Sequence, residues 1–553
     1  MTSRKLRAAR VIAVAVAVAF AFAGCVGIPN SGAVNSVPAV KNGSDSSFAD
    51  LPSRPPRNAS KDVILADFMQ AAKLPEGDYA NAKLFLTTKA AQSWDPTKSV
   101  LIRQGSASTA DEVDGSVSYT VTTNASIDAN GTYLQQSSES TQSLSYGFEK
   151  VKGQWRISSL PNGTILPRTS FPQVFSQYPV YFFDPAYRYL VPDVRWFPVG
   201  STADTRIVSA LLAGPVAWLG NGVVVSAFPQ GVTVGQAVDV RGTTATVDLS
   251  AEAANTKAID RARMQQQLEL SLQPTGITAV IMTARGAPLT TNAALSHASP
   301  AAPANGSPLI QKDKQFGFYP KLESLGKLSD EVVSLNGRAA SVDHAQTRAA
   351  VLNKAGVWIA SESASAPQLI DSRPGLIAPS IDTDDFVWSV PSNDASDIQV
   401  TGPTGGSHSV SSSIPSHSVV VSLDVSRDGT RVLIYLKTGG GPRLVVAGIV
   451  RRNGVPTSLG DLLDLPVSSA DPVDATWVDP STVAALGVVA GEDAVTSYVI
   501  GGTPGDPTTT TDGSQLVAGS DLRLITTAGE IQQLRSSGWQ DINVVASMLA
   551  TQQ

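Results

Sequence analysis

One cysteine in 553 residues, Cys25, rules out any intramolecular disulfide, and this restricts the chain severely once its N-terminus is read. Arg4, Lys5, Arg7 and Arg10 form a basic head, and Val11 to Ala21 is an apolar run too short to span a bilayer comfortably. This is the pattern of a secretory signal peptide over residues 1–24. Ala23 and Gly24 place small residues directly before Cys25, making a lipobox, although Phe22 stands where a Leu-like residue is usual. The expected chemistry is a thioether-linked diacylglyceryl group on the Cys25 thiol, then cleavage and N-acylation of the new terminus. Two alternatives compete: an uncleaved membrane helix from Val11 to Ile28, or an ordinary Cys25 in a signal peptide cut elsewhere. All three send the bulk of the chain outside, where folding without disulfides calls for domains of more than about 100 residues.

Length suggests about three or four such domains. The formal net charge is -6, and four of the basic residues belong to the signal peptide, so nucleic acid is not an expected partner. After Ile28 no apolar stretch is long enough for a membrane helix. The lipid is therefore the expected anchor. Residues 25–60 are rich in Ser, Asn, Gly and Pro and read as a lipidated flexible tether.

Helical spacing begins at Asp62 with Ile64, Phe68 and Ala71, and Pro75-Glu76-Gly77 stops it. A second helix is expected from Tyr79 to Trp94. Strands follow over Ser116 to Val121, Gly131 to Leu134, Ser143 to Val151 and Gln154 to Ser158, with turns at Asn130-Gly131 and Lys152-Gly153. Residues 61–170 thus read as a small α+β domain, similar in arrangement to cystatin-like or nuclear-transport-factor-like folds, an analogy that carries no function.

Residues 171–290 open with an aromatic strand, Tyr178 to Asp184, and continue through Tyr189 to Pro192. A helix from Ala203 to Ala213 buries Ile207, Leu211 and Leu212 and ends at Gly214-Pro215. Strands are expected at Val223 to Phe228, Thr244 to Leu249 and Ile277 to Thr283, with a helix through Ile259, Met264, Leu268 and Leu272. The series Leu211-Leu212-Ala213-Gly214-Pro215, Ser226-Ala227-Phe228-Pro229 and Thr246-Val247-Asp248-Leu249-Ser250 resembles the sporulation and germination module called GerMN. Asp248 beside Ser250 is read as a cap or turn, not a catalytic pair, and no histidine lies within this module.

Residues 291–308, around Pro303, read as a linker. From 309 to 553 the chain is β-rich and weakly repetitive, with Asp343, Asp382, Asp424 and Asp474 each following a strand at spacings of 39, 42 and 50 residues. Such a period fits a propeller of five to seven blades. The overall expectation is a multidomain chain of two small α+β domains followed by an all-β propeller.

Candidate chemistry in the propeller is sparse. Asp424 to Gly429 looks like the start of a calcium loop, but Tyr435 occupies the position of the terminal acidic ligand, so Ser426 to Thr430 is read as a hairpin turn. Asp382, Asp384 and Asp385 are candidates for a carboxylate pair or cation site, with turn formation the favoured reading. His297, His344, His408 and His417 have no partner at metal-ligand spacing, and no nucleophile elbow or phosphate loop is found. Trp358, Trp388, Trp477 and Trp539 either pack between blades or line a glycan groove. The sequons at Asn58, Asn124, Asn130 and Asn162 read as polar turn residues. No catalytic residue, metal or cofactor is expected.

In this order, the lipobox, small α+β domain, GerMN-like module and propeller resemble the LpqB lipoproteins of actinobacteria. The resemblance implies a non-enzymatic protein on the extracytoplasmic face of the cell membrane, lipidated at Cys25. It also implies contact with the extracytoplasmic part of a sensor kinase like MtrB and influence on signalling in envelope homeostasis and division. The alternative is an envelope protein that binds or cleaves cell-wall glycan, for which Asp382, Asp384 and Asp385 are the first acidic candidates and Trp388 and Trp477 the first aromatic ones.

Overall fold

Ser60 starts the first helix: its Oγ accepts the Val63 N–H at 3.4 Å, and helix Lys61–Ala71 buries Ile64, Leu65 and Phe68. The computed structural model describes residues 54–553 except 293, 295 and 302–305. Cys25, the signal peptide and nearly all of the tether expected from the sequence therefore lie outside the described residues. Where the sequence suggests one helix from Tyr79 to Trp94, there are two short ones, Ala80–Lys83 and Thr88–Ser93. The break has a clear cause. Phe85 and Thr87 leave helical geometry to exchange backbone hydrogen bonds with Ile157, and the Thr87 hydroxyl caps the second helix through Ala90 N–H.

These helices cover a five-stranded sheet ordered Gln154–Ser159, Tyr133–Val151, Val117–Asp128, Ser99–Asp111, Thr164–Pro167, antiparallel except for its last pair. Phe68, Phe85, Trp94, Val121, Tyr146 and Ile157 form the shared core. The two strands expected at Gly131 to Leu134 and Ser143 to Val151 are one long strand, Tyr133–Val151, with Gly131 in the turn before it, and Ser99–Asp111 is a further strand.

In the second domain, strands Phe175–Phe183 and Leu190–Pro198 pair antiparallel. Helices Ala203–Ala213 and Ala258–Leu272 pack with them against a four-stranded sheet whose inner members, Thr244–Leu249 and Ala279–Ala284, run parallel. Val223 to Phe228 is not a strand. It makes a single bridge, Val225 to Phe183, because the Ala227 N–H is taken by Gln267 Oε1 and the Phe228 N–H by its neighbour Ser226 Oγ.

The remaining strands form blades. Six inner strands, Ala339–Val342, Ser380–Ile381, Val419–Val425, Asp471–Asp479, Gly513–Ala518 and Met548–Gln552, touch in succession around a ring. Five begin four-stranded blades. The sixth blade is assembled from both ends of the β-rich region: Met548–Gln552 pairs antiparallel with Leu309–Lys312, which pairs with Gln315–Phe318, and its other edge pairs parallel with Ala339–Val342. Ring closure thus rests on backbone hydrogen bonds between distant segments rather than on a disulfide.

One strand joins all three domains. Every residue of Leu190–Pro198 is buried, and the described domains form one compact unit. Trp196 packs its ring 4.7 Å from Phe171 and 5.8 Å from Tyr133, its N–H reaches Gly131 O at 2.7 Å, and its Nε1–H reaches Gly501 O in the propeller at 2.8 Å. Phe197 occupies the space that a Cβ on Gly131 would take, at 2.6 Å. Likewise Val223 lies 2.5 Å from where a Cβ on propeller Gly448 would stand, so that glycine admits the second domain.

Between these apolar contacts sits a buried ion pair. Arg195 donates to Asp193 at 2.9 and 2.7 Å, to Asn130 O at 3.0 Å and to Gly214 O at 3.2 Å, and Asp193 also accepts the Val216 N–H at 3.0 Å. Removing the cation leaves a buried carboxylate unpaired. Arg195→Ala is predicted to cost about 3–5 kcal/mol in urea unfolding, and an unchanged midpoint would contradict this role.

Candidate functional site

The functional candidates gather where the second domain meets the hairpins of the propeller. In blade 1, Asp343 closes the hairpin after the inner strand by accepting Thr347 and Arg348 N–H at 2.8 and 2.9 Å. Asp382 does the same in blade 2 with Asp384 and Phe386 N–H at 3.0 and 2.9 Å. The equivalent residue of blade 3 is Ser426, not Asp424: Ser426 N–H pairs with Arg431 O as Asp343 N–H pairs with Arg348 O, and its Oγ accepts Arg431 N–H. The aspartate spacing read from sequence was therefore two residues out of phase in that blade. Gly429, with φ +70°, supplies the left-handed turn position of this hairpin.

The three candidate aspartates do not converge on a cleft. Asp382 is buried; its carboxylate also accepts Trp388 Nε1–H at 3.0 Å and Arg451 Nη2–H at 2.6 Å. Asp384 pairs with Arg188 of the second domain at 2.8 Å and with Arg451 at 3.4 Å. Asp385 faces Arg348 at 3.5 Å; burial, helped by Asp343 and Asp382, raises its carboxyl above the ordinary range despite that arginine. Each carboxylate is thus committed to an arginine. The Arg188–Asp384–Arg451–Asp382 chain ties the second domain to blades 2 and 3.

Inside the ring, Asp424 accepts Ser380 Oγ–H and Gln553 Nε2–H on one oxygen and Thr476 Oγ1–H and Trp477 N–H on the other. Burial raises its carboxyl. Asp474, on the next inner strand, accepts Leu516 N–H at 2.7 Å and Ala475 N–H at 2.9 Å, and burial pushes it up to about 7. Burial also opposes ionisation of Asp428, but Arg431 and the Thr430 and Ser426 hydroxyls outweigh it and hold that carboxyl low. Arg427 extends from blade 3 to Val478 O, Ala518 O and Gln552 O, the ends of three further inner strands. It bridges four blades across the axis.

The other candidates are dispersed. His297, His344, His408 and His417 are exposed on separate segments, and among the described residues no cluster of His, Cys, Asp and Glu has the makings of a metal site. Trp388 and Trp477 are buried between blades, Trp477 beneath the Arg431 guanidinium at 4.7 Å, and neither lines a groove. Trp358 and Trp539 are half-buried; Trp358 donates to Asn353 and Trp539 packs against blades 4 and 5. Asp248 accepts the Thr283 hydroxyl and the Gly286 N–H, which hold its carboxyl low, and Ser250 accepts Thr233 N–H; together they fasten turns. A recess of about 280 Å³ between blades 1 and 2, lined by Arg348, Ser361, Ser363, Gln368 and Thr404, has no carboxylate in its wall.

Three family profiles match this chain in order: "Lipoprotein LpqB, N-terminal domain" over residues 54–172, "Sporulation and spore germination" over 179–290, and "Lipoprotein LpqB beta-propeller domain" over 325–548. The chain belongs to the LpqB lipoprotein family. Lipoprotein LpqB of Cutibacterium acnes is 26% identical over 522 residues, 86% of each chain, and that of Mycobacterium bovis strain BCG is 26% identical over 469 residues, 77% of this chain and 78% of the relative. Among solved structures, TolB from Acinetobacter baumannii aligns at 15% identity and TM-score 0.31 over 38% of this chain and 55% of its own. The first GerMN domain of GerM from Bacillus subtilis aligns at 25% identity and TM-score 0.18 over 21% of this chain and 86% of its own. LpqB membership implies a membrane-anchored lipoprotein. Among the described residues no helix is long and apolar enough to cross a membrane.

Asp474 gives this arrangement a measurable pH dependence. Between about 4, the ordinary Asp range, and about 7 the folded chain retains a proton that the unfolded chain has lost. Stability from this group is thus full at low pH and is lost as pH rises through that window. Asp474→Asn, which stays neutral, is predicted to lose less melting temperature than wild type between pH 5 and 7.5; parallel losses would contradict the assignment.

Proposed function

We propose that the chain is held by lipid on Cys25 at the extracytoplasmic face of the cell membrane and acts there without catalysis. In this reading it contacts the extracytoplasmic domain of an MtrB-like sensor kinase and modulates signalling in envelope homeostasis and division. The observation that favours a binding role over a glycan enzyme is the commitment of Asp382, Asp384 and Asp385 to arginines at a domain joint. A glycosidase needs two carboxyl groups facing one substrate space across about 5–9.5 Å. A glycan binder built on Trp388 and Trp477 would need them exposed, and both are buried.

Physical chemistry makes the binding role economical. Two or more acyl chains give stable anchoring where one is marginal, and confinement to one membrane raises the effective concentration of anchored protein near a membrane-bound kinase. A weak interface is then sufficient. A three-domain body joined through Leu190–Pro198 presents such an interface with little ordering cost.

The test is Cys25→Ala in cells, with membrane fractionation and crosslinking capture from wild type. The expected result is loss of membrane retention in the variant and recovery of a sensor kinase from wild type. Retention of the variant would point to an uncleaved N-terminal helix. Recovery of glycan fragments or wall enzymes without a kinase would replace this reading with the glycan one.

A further inference from the structure

The N-terminal domain carries a basic surface on a chain whose net charge is -6. Strands Tyr133–Val151 and Gln154–Ser159 are joined by a tight turn, Lys152 and Gly153 both having positive φ. Around this tip stand Arg57, Lys61, Lys150, Lys152 and Arg156, with Arg54 at the start of the described chain. Asn58 and Gln154 exchange hydrogen bonds of 2.6 and 3.0 Å, which fixes the incoming segment beside the turn. The cations that arrive with that segment and those of the hairpin therefore belong to one surface.

Apolar groups sit among them. Lys61 and Lys150 each place Nζ 5.0 Å from the Trp155 ring, and Lys61 is 5.9 Å from Phe148. Val151, at the tip, is 40% exposed. Neighbouring anions are Glu149, opposite Arg156 in the hairpin, Asp62, and Asp111, Glu112 and Asp114 on the adjoining turn, whose Gly115 O accepts from Lys61 Nζ at 2.6 Å. They are fewer than the cations, and among the described residues none of the six cations is in an ion pair with any acidic side chain. Trp155 itself packs against the domain core beneath Lys61 and Lys150, so the surface consists of Lys and Arg outside ion pairs around an exposed Val, which matches the interfacial layer of a bilayer, where ammonium and guanidinium meet phosphate.

Position agrees with charge. The strand that ends at Val151 begins at Tyr133, which packs on Trp196 at the joint with the other two domains. Residues 136–139 bulge out where the register shifts opposite Thr123 and Ala125, so at about 3.3 Å per residue the strand runs on the order of 50 Å, and the basic tip and the domain joint occupy its opposite ends. The segment that enters the domain is fixed beside the tip through Asn58 and Gln154.

We propose that this hairpin tip is a membrane-contact site for anionic phospholipid headgroups. Lys150, Lys152 and Arg57 meet phosphates, and Val151 enters the interfacial layer, so that the body stands on the bilayer with its domain joint and propeller directed away from it. The inference rests on the lipid-anchored reading for the nearness of the membrane, but not on the kinase.

The test is the full lipoprotein reconstituted into vesicles of phosphatidylcholine alone or of phosphatidylcholine with 30% phosphatidylglycerol, labelled with a water-soluble lysine-acetylating reagent and read by peptide mass spectrometry. Relative to Lys312 and Lys314 of the propeller, labelling of Lys150 and Lys152 is expected to fall at least threefold in the anionic vesicles and to recover in 0.5 M sodium chloride. In Lys150→Glu, Lys61 is expected to lose part of its protection. Equal labelling in the two vesicle types overturns the proposal, as does protection that appears only on adding cell-wall fragments. Flotation of the same samples reads the anchor separately: protein that floats with unprotected lysines is anchored but not docked. If it fails to float, the anchor is lost while labelling beside added vesicles still reads the hairpin.

Discussion

A buried salt bridge holds this molecule together. Asp193 and Arg195 lie on one strand, buried on all sides, where an unpaired charge would be severely penalised. The pair is tolerated because Arg195 also satisfies the carbonyls of Asn130 and Gly214, and Asp193 the amide of Val216. Those partners come from the first domain's turn and from the loop after helix Ala203–Ala213. Satisfying the charges therefore forces two domains into register, and Trp196, one residue on, extends the constraint to the propeller through Gly501.

The propeller solves a different problem with similar means. Without disulfides, it is closed by strand Met548–Gln552 lying between Leu309–Lys312 and Ala339–Val342, and Arg427 links the ends of inner strands across the axis. Both devices place arginines, one buried and one half-buried, on carbonyl groups, and such hydrogen bonds strengthen as water is excluded. The result is a body whose two ends have separate chemistry: a basic, partly apolar tip near the chain's entry, and a propeller whose charges are mostly used internally.

How much of this the sequence discloses depends on how local each constraint is. Helix Ala203–Ala213 is legible because Ile207, Leu211 and Gly214 state its face and its end within three turns. The propeller is legible from its period, yet the sequence sets Asp424 in phase with Asp343 because a serine, Ser426, does the aspartate's work in blade 3. Val223 to Phe228 has strand composition, but its amides are claimed by Gln267 and Ser226. Ser99–Asp111 was missed because Gln, Ser, Ala and Thr give it little alternation beyond Arg103. In Leu190–Pro198 the sequence signals a strand only as far as Pro192, since proline and charges at Asp193 and Arg195 signal a surface loop. Its burial depends on partners tens of residues away, which periodicity cannot reveal.

If the strand Leu190–Pro198 is the common joint of three domains, the Trp196 N–H, which donates to Gly131 O of the first domain rather than to the hairpin partner Phe175–Phe183, can open only when the first two domains part. Native-state hydrogen exchange, read by mass spectrometry on a peptide covering this strand, tests that directly. The account predicts protection equal to that of the inner propeller strand Val419–Val425. Exchange faster by orders of magnitude, with the propeller strand still protected, would show that the domains separate readily and that the buried pair does not hold them together.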